Sequence, residues 1–135
     1  MRIDGGCHCG KITYEAEIDP DKVSICHCTD CQQLTGTAFR VTAFAPEADF
    51  HVLSGEPAVY VKTSADSGNP RAQAFCRDCG SHLFVTSVGE GPKVYGIRTG
   101  SARQRAQLKP RRQAWHQSAL TWLDGISSLP ATEKG

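Results

Sequence analysis

The sequence predicts a mainly β protein built from short antiparallel strands. Three observations support this prediction: one strictly alternating segment near the N-terminus, several short apolar runs, and turn residues between those runs. The chain has 135 residues, of which 39% are hydrophobic, and a formal net charge of +1. These values are typical of one soluble domain with an ordinary core, so we expect a single domain over residues 1–135.

Residues 11–18 give the clearest strand signal, because apolar and polar side chains alternate strictly along them. The expected buried face consists of Ile12, Tyr14, Ala16 and Ile18. Shorter strand signals follow at about 39–45, 50–53, 58–62, 83–87 and 93–97. Turn residues separate these signals at Pro46, at 54–57 and at 89–92, and residues 64–70 are predicted to form a loop.

Two segments favour helix instead. Residues 29–35 are predicted to form a short helix, because Thr29 or Asp30 can cap its free backbone donors. From Trp115 onward, apolar residues recur at helical intervals, which favours a C-terminal helix. We expect both tryptophans, Trp115 and Trp122, to pack in the core.

The cysteines give the strongest functional signal, because their spacing divides them into a group of three and a group of four. The group of three lies within six residues and consists of Cys26, Cys28 and Cys31. The group of four combines a C-x-C pair with a distant C-x-x-C pair, namely Cys7, Cys9, Cys76 and Cys79. Both kinds of spacing suit metal ligands.

The division into two groups also follows from chain entropy. Three ligands so close in sequence can chelate one ion at little entropic cost, whereas closing the long loop between the two pairs costs roughly 4 kcal/mol. A structural zinc returns about 10–16 kcal/mol, which offsets that closure. Four thiolates close a tetrahedral site, and three leave one position open. The sequence therefore predicts two zinc ions per chain, one structural and one open and reactive.

Disulfides, buried thiols and an iron–sulfur cluster are the alternatives. Seven cysteines is an odd number, and the N-terminus lacks the apolar run of a signal peptide. We therefore favour metal binding and a cytoplasmic location over an extracellular disulfide framework. No apolar run approaches the roughly 18 residues that would span a bilayer, so we expect no membrane association.

Charge is distributed unevenly, with most Lys and Arg residues in the second half of the chain. A short basic stretch contains Arg103, Arg105, Lys109, Arg111 and Arg112. Such a stretch can contact phosphates, but it more often forms a solvated face. We therefore regard nucleic-acid binding as unlikely, and the sequence does not indicate an oligomeric state.

Four segments together resemble the glutathione-dependent formaldehyde-activating family, which shares its zinc domain with centromere protein V. They are GGCHCG at 5–10, CHCTDC at 26–31, TGTAF at 35–39 and FCRDCG at 75–80. The resemblance covers about residues 3–123 and leaves about 124–135 as a C-terminal tail. It implies a β-tent fold of several small antiparallel sheets around zinc knuckles. It also favours an extended stretch near Trp115 over a helix.

The resemblance implies a role for each cysteine group. The four-cysteine group corresponds to the family's structural zinc site, and Cys26, Cys28 and Cys31 correspond to its catalytic zinc site. The family's reaction joins glutathione to formaldehyde, so the implied activity is that of a zinc-dependent carbon–sulfur lyase acting on a thiol–aldehyde adduct. The implied partners are a small thiol such as glutathione and an aldehyde. A non-catalytic zinc module that binds a protein or nucleic-acid partner is the alternative.

Charged and imidazole side chains near the cysteines give weaker signals. We expect His27, which lies between two ligands of an extended segment, to point away from the metal and orient the loop. For His82 we expect an ordinary core or surface role. Candidate cationic anchors for the substrate's carboxylates are Arg40, Lys62 and Arg71.

Overall fold

The computed structural model describes residues 1–64 and 68–135 and confirms the mainly β prediction. The strands in these residues are β1 (Arg2–Gly6), β2 (Thr13–Glu17), β3 (Ser24–Cys26), β4 (Arg40–Pro46), β5 (Phe50–Ser54), β6 (Ala58–Lys62), β7 (Arg71–Phe75), β8 (His82–Ser87), β9 (Val94–Arg98) and β10 (Arg112–Ala114). The α-helix is α1 (Thr29–Thr35). Short 3₁₀ helices lie at Pro20–Lys22, Glu47–Asp49, Thr99–Ser101, Arg105–Gln107, His116–Ser118 and Thr121–Ser128.

The strands form two sheets. A three-stranded sheet has the order β1-β2-β5, and a seven-stranded sheet has the order β10-β3-β4-β9-β8-β7-β6. Every pairing is antiparallel except that of β10 with β3, which is parallel. The parallel pairing places the segment that follows residue 111 beside β3, which ends at Cys26. The C-terminal part of the chain therefore packs against the cysteine trio.

The core lies between the two sheets and is lined by the face that the alternating pattern of residues 11–18 predicts. Ile12, Tyr14, Ala16 and Ile18 are all buried. Aromatic rings from both sheets meet here, since Phe50 stacks on Tyr95 with ring centroids 4.5 Å apart and meets Phe84 edge-on at 4.9 Å. This shared core fixes the orientation of the sheets and of the turns at their ends.

The sequence left the C-terminal segment open between a helix, favoured by periodicity, and an extended stretch, favoured by the resemblance. Its described residues form no α-helix: residues 112–114 form β10, and the later turns at Thr121–Ser128 are 3₁₀. The two tryptophans do not pack in the core either, since Trp115 is 45% and Trp122 is 58% exposed. Trp115 takes a left-handed conformation with φ of 55°, which breaks the helical path directly after β10.

The helix predicted at residues 29–35 is present as α1, but its cap differs from the prediction. Neither Thr29 nor Asp30 caps it: Cys28 is the N-cap, and its Sγ accepts a hydrogen bond from the backbone N–H of Cys31 at 3.2 Å. The predicted loop at 64–70 falls partly, at 65–67, outside the described residues. None of the helices in the described part of the chain is long and apolar enough to cross a membrane.

Candidate metal centres and the adjoining cavity

Two tight turns at the ends of neighbouring strand pairs build the four-cysteine cluster. One turn joins β1 to β2 and carries Cys7 and Cys9, and the other joins β7 to β8 and carries Cys76 and Cys79. In each turn a glycine N–H closes back on the first cysteine carbonyl, at 3.1 Å in the first and 2.7 Å in the second. The two turns are therefore built alike, although they are far apart in sequence.

The sulfur atoms of this cluster have the spacing that zinc requires. All four Sγ atoms lie within 4.8 Å of one another. The distances are 3.5 Å between Cys7 and Cys9 and 3.8 Å between Cys9 and Cys76. A tetrahedral site with Zn–S bonds of about 2.3 Å separates its sulfur atoms by about 3.8 Å. The donor set and its spacing therefore fit a closed zinc site.

Hydrogen bonds already support the thiolate forms in this cluster. The hydroxyl of Ser81 lies 3.2 Å from Cys79 Sγ, and its hydrogen bond lowers the pKa of Cys79 to about 5. The backbone N–H of Ile12 donates to Cys7 Sγ at 3.3 Å. Such donors to ligating sulfur orient the ligands and stabilise their negative charge.

The second cluster is the trio of Cys26, Cys28 and Cys31. Cys26 ends β3, Cys28 caps α1, and Cys31 lies in the first turn of that helix. Their Sγ atoms also lie within 4.8 Å of one another. The trio fits a zinc site with three protein ligands, and no fourth His, Cys, Asp or Glu joins the group among the described residues.

Cys26 and Cys31 shift each other's pKa in opposite directions. Hydrogen bonding from Cys31 lowers the pKa of Cys26, and the same contact, together with burial, raises the pKa of Cys31. These shifts favour an anionic sulfur hydrogen-bonded to a protonated one over two anionic sulfurs in contact. The cluster is therefore suited to a cation, which would replace that proton and hold all three sulfurs as thiolates.

A cavity of about 680 Å³ is lined by the last turn of α1 and by Arg40, which pairs with Cys26, although the three cysteines are not among its lining residues. It is lined by residues 33–37, which include the last turn of α1, by residues 39–41, by Gly80 and His82, and by residues 98–100. The first turn of α1 carries Cys31, and its last turn forms part of the cavity wall. The helix therefore connects the cluster to the cavity. The volume falls within the range of about 300–1,000 Å³ that is typical of small-molecule sites.

Two buried arginines line this cavity. Arg40 begins β4 and stands directly opposite Cys26 on β3, so the two side chains leave the same face of the sheet. Arg98 ends β9 and donates to Thr42 Oγ1 at 3.0 Å and to Gln73 Oε1 at 2.9 Å. Burial, together with the positive charge of Arg40, lowers the pKa of Arg98 to about 9.

His82 lines the same cavity. Burial lowers the pKa of its ring below the usual value, and the positive charges of Arg40 and Arg98 lower it further. The ring is consequently neutral at neutral pH. Its position follows from the bulge between β7 and β8, where Phe75 pairs with His82.

The other predicted cationic anchors have different surroundings. Lys62 forms an ion pair with Asp30 at 2.5 Å, so the Asp30 carboxylate holds a lysine rather than capping α1. Arg71 lies opposite Lys62 at the paired end of β6 and β7 and does not line the cavity. Of the three candidates, Arg40 alone lies in the cavity wall.

His27 is held beside the trio. Its ring is buried, Nε2 donates to Gln113 Oε1 at 2.7 Å, and its backbone N–H donates to the Ala114 carbonyl at 3.0 Å. Gln32 Nε2 donates to the His27 carbonyl at 2.9 Å and to the Ser118 carbonyl at 3.0 Å. The histidine thus ties the trio loop to β10.

Sequence reasoning missed Arg98 and Gln113. Arg98 lies one residue beyond a predicted strand, and Gln113 lies in a strand too short to be recognised. For these two residues the sequence contains no signal, because only the sheet order brings them to the site.

Comparison with known proteins agrees with this architecture. The family model described as glutathione-dependent formaldehyde-activating enzyme matches residues 2–118. A crystal structure of a Rhodobacter sphaeroides protein is similar in fold, with a TM-score of 0.63 and 21% sequence identity, covering 82% of this chain and 99% of that one. No curated protein matches the chain in sequence.

Proposed function

The chain belongs to the glutathione-dependent formaldehyde-activating enzyme family, and on this basis we propose that it is a zinc-dependent carbon–sulfur lyase that acts on a thiol–aldehyde adduct. The observation that carries the proposal is the incomplete cluster. Cys26, Cys28 and Cys31 supply three thiols, with no fourth ligand grouped with them in the part of the chain that the structure describes. A cavity of about 680 Å³ is lined by the last turn of the helix that carries Cys31 and by Arg40, which stands opposite Cys26.

In this proposal the two clusters have different roles. The group Cys7, Cys9, Cys76 and Cys79 would hold a structural zinc, and the catalytic group Cys26, Cys28 and Cys31 would hold the second zinc. A zinc ion with an open position supplies a Lewis acid that stabilises negative charge developing on oxygen or sulfur.

The reaction needs no oxidant or reductant. A bond forms between the thiol sulfur and the aldehyde carbon, the carbonyl electron pair moves onto oxygen, and that oxygen gains the proton lost by the thiol. The reverse reaction breaks the same bond and returns the proton to sulfur. The residues of this chain contribute a cavity large enough for a tripeptide thiol, and its wall contains the two buried arginines Arg40 and Arg98, whose positive charges would favour a substrate thiolate.

Exchange spectroscopy tests the proposal. Magnetisation exchange between formaldehyde, glutathione and their adduct should be faster in the presence of the zinc-loaded protein than in buffer. The Cys28→Ser variant, at matched concentration and with its zinc content measured, should show only the buffer rate. Wild-type protein that holds two zinc ions and accelerates no exchange with several thiols and aldehydes would instead support a non-catalytic zinc module.

A further inference from the structure

Arg40 is a buried cation without a carboxylate partner among the residues that the structure describes. The residue is 7% exposed, and its buried Nε and Nη2 atoms have no hydrogen-bond partner in the same residues. No carboxylate of the described residues forms an ion pair with it. Leaving buried donors of a charged group unsatisfied is costly, so such a group normally has a partner when the site is filled.

Arg98 adds a second buried positive charge to the same wall. It is also 7% exposed, and its hydrogen-bond partners, Thr42 and Gln73, are both neutral. Burial is the main cause of the lowered pKa of Arg98, and repulsion by the positive charge of Arg40 lowers it further. The nearby Lys62 does not change this balance, because Asp30 neutralises it.

The charges around the cavity indicate that an anion is missing when zinc occupies the trio. Three thiolates on a divalent zinc carry a net charge of about −1, and this cluster faces Arg40 across the β3–β4 pair. The two buried arginines carry about +2 together. The ring of His82 is neutral at neutral pH. The cavity beside an occupied trio therefore keeps an excess of about one positive charge, which one anionic group of a ligand would balance.

We propose that Arg40 forms an anion-binding site in this cavity that holds a carboxylate of the substrate. The inference rests on the proposed function and specifies its substrate class: a thiol–aldehyde adduct with a carboxylate near the reacting carbon–sulfur bond. A guanidinium offers a planar pair of donors that matches a carboxylate. Formaldehyde has no such group, so the carboxylate belongs either to the thiol or to a larger aldehyde.

Two matched pairs of probes distinguish these sources. Mercaptoacetate and 2-mercaptoethanol differ by a carboxylate on the thiol, and glyoxylate and glycolaldehyde differ by a carboxylate on the aldehyde. We expect the zinc-loaded protein to bind the carboxylate member of at least one pair about ten- to one-hundredfold more tightly, as measured by calorimetry. The pair that shows the preference identifies the source. Equal affinity within both pairs would overturn the proposal.

A charge-removing variant and a matched control assign the preference to Arg40. Arg40→Gln should abolish it, whereas Arg112→Gln, the same substitution at an exposed arginine of β10, should leave it unchanged. A preference that survives Arg40→Gln would overturn the assignment. If Arg40→Gln does not fold, Arg40→Lys serves instead, because it keeps the charge and loses the planar pair of donors, and the preference should fall.

An NMR measurement on the wild-type protein distinguishes a ligand-binding role of Arg40 from a purely structural one. The Nε–H resonance of Arg40 should shift on saturation with the preferred carboxylate and stay in place with its uncharged partner. An unchanged resonance with both would contradict the proposal. Exchange between formaldehyde and glutathione is scored separately: carboxylate preference without exchange rejects the lyase proposal alone, and exchange without preference rejects the anion site alone.

Discussion

Cys28 has two roles at the residue scale, because it belongs to the trio and also caps α1. Its Sγ accepts the hydrogen bond from the Cys31 N–H at 3.2 Å, which satisfies one of the free donors of the first turn. The Sγ atom of Cys28 therefore belongs to the cysteine cluster and also caps the first turn of the helix. Serine at this position keeps a capping oxygen but is a poor zinc ligand.

The Cys28→Ser variant should therefore separate folding from metal binding. We expect a folded protein that retains α1 and one zinc and has lost the zinc of the trio, because the four-cysteine cluster is untouched. Its free energy of unfolding should fall by no more than about 1–2 kcal/mol. Circular dichroism, thermal melting and elemental analysis measure these quantities. Loss of both metals in this variant would show that the clusters are not independent.

The ring of His82 should titrate below its usual pKa of 6.5, because burial and two nearby arginines oppose its charged form. Since the folded protein binds this proton less readily than the unfolded chain, His82 contributes stability above about pH 6.5 that is lost as the pH falls through the folded pKa. An NMR titration of the imidazole resonances measures the midpoint. Arg40→Gln should raise it, and a wild-type midpoint at or above 6.5 would contradict this environment.

The division of the cysteines into two clusters could be predicted at the residue scale, because C-x-C and C-x-x-C spacings are local properties of the chain. The cavity wall could not. Arg40, His82 and Arg98 come from three strands, and only the register of the seven-stranded sheet brings them together. The positions of Asp30 and Lys62 depend in the same way on tertiary contact, so the local capping role predicted for Asp30 was wrong.

At the scale of elements, strands with clear alternation, several β-branched residues or a short apolar run were predicted well, whereas β1, β3, β7 and β10, with at most one β-branched residue each, were missed. β6 (Ala58–Lys62) has the predicted bounds, whereas β3 and β10 contain only three residues each. The five residues of β7, RAQAF, include no β-branched side chain. These missed strands form because neighbouring strands pair with them. The same tertiary contacts override the helical spacing that begins at Trp115.

Each turn of the four-cysteine cluster depends on a glycine in the left-handed conformation, and Gly80 tests this at the scale of one element. Its φ is +75°, and its N–H donates to the Cys76 carbonyl at 2.7 Å. Gly80→Ala should cost about 1–2 kcal/mol and lower the melting temperature by several degrees. Gly125→Ala is the matched control, because Gly125 has open space around it and no positive φ. Equal melting temperatures for the two variants would show that a side chain at the positive φ of residue 80 causes no strain.

At the scale of the whole molecule, the four-cysteine cluster joins the two sheets. Cys7 and Cys9 follow a strand of the small sheet, and Cys76 and Cys79 follow a strand of the large one. A zinc ion held by both turns would contribute about 10–16 kcal/mol, which is comparable to the whole stability of a domain, about 5–15 kcal/mol. The stability of the fold should therefore depend on this metal.

Cys76→Ser should consequently prevent stable folding, in contrast to Cys28→Ser. We expect the Cys76→Ser protein to lose its near-ultraviolet circular dichroism and its cooperative melting transition. The Cys28→Ser protein is the matched control, since it carries the same substitution in the other cluster. Should both variants unfold to the same degree, the division into a structural and an open site would be wrong.

The metal content per chain tests the central claim most directly. Protein prepared without oxygen should contain two zinc ions per chain by elemental analysis. A chelator should remove one of them quickly from the trio and the other only as the fold opens, because the closed cluster links two distant turns. A firm value of one zinc per chain, retained by the four-cysteine cluster, would leave Cys26, Cys28 and Cys31 as ordinary thiols and contradict the account.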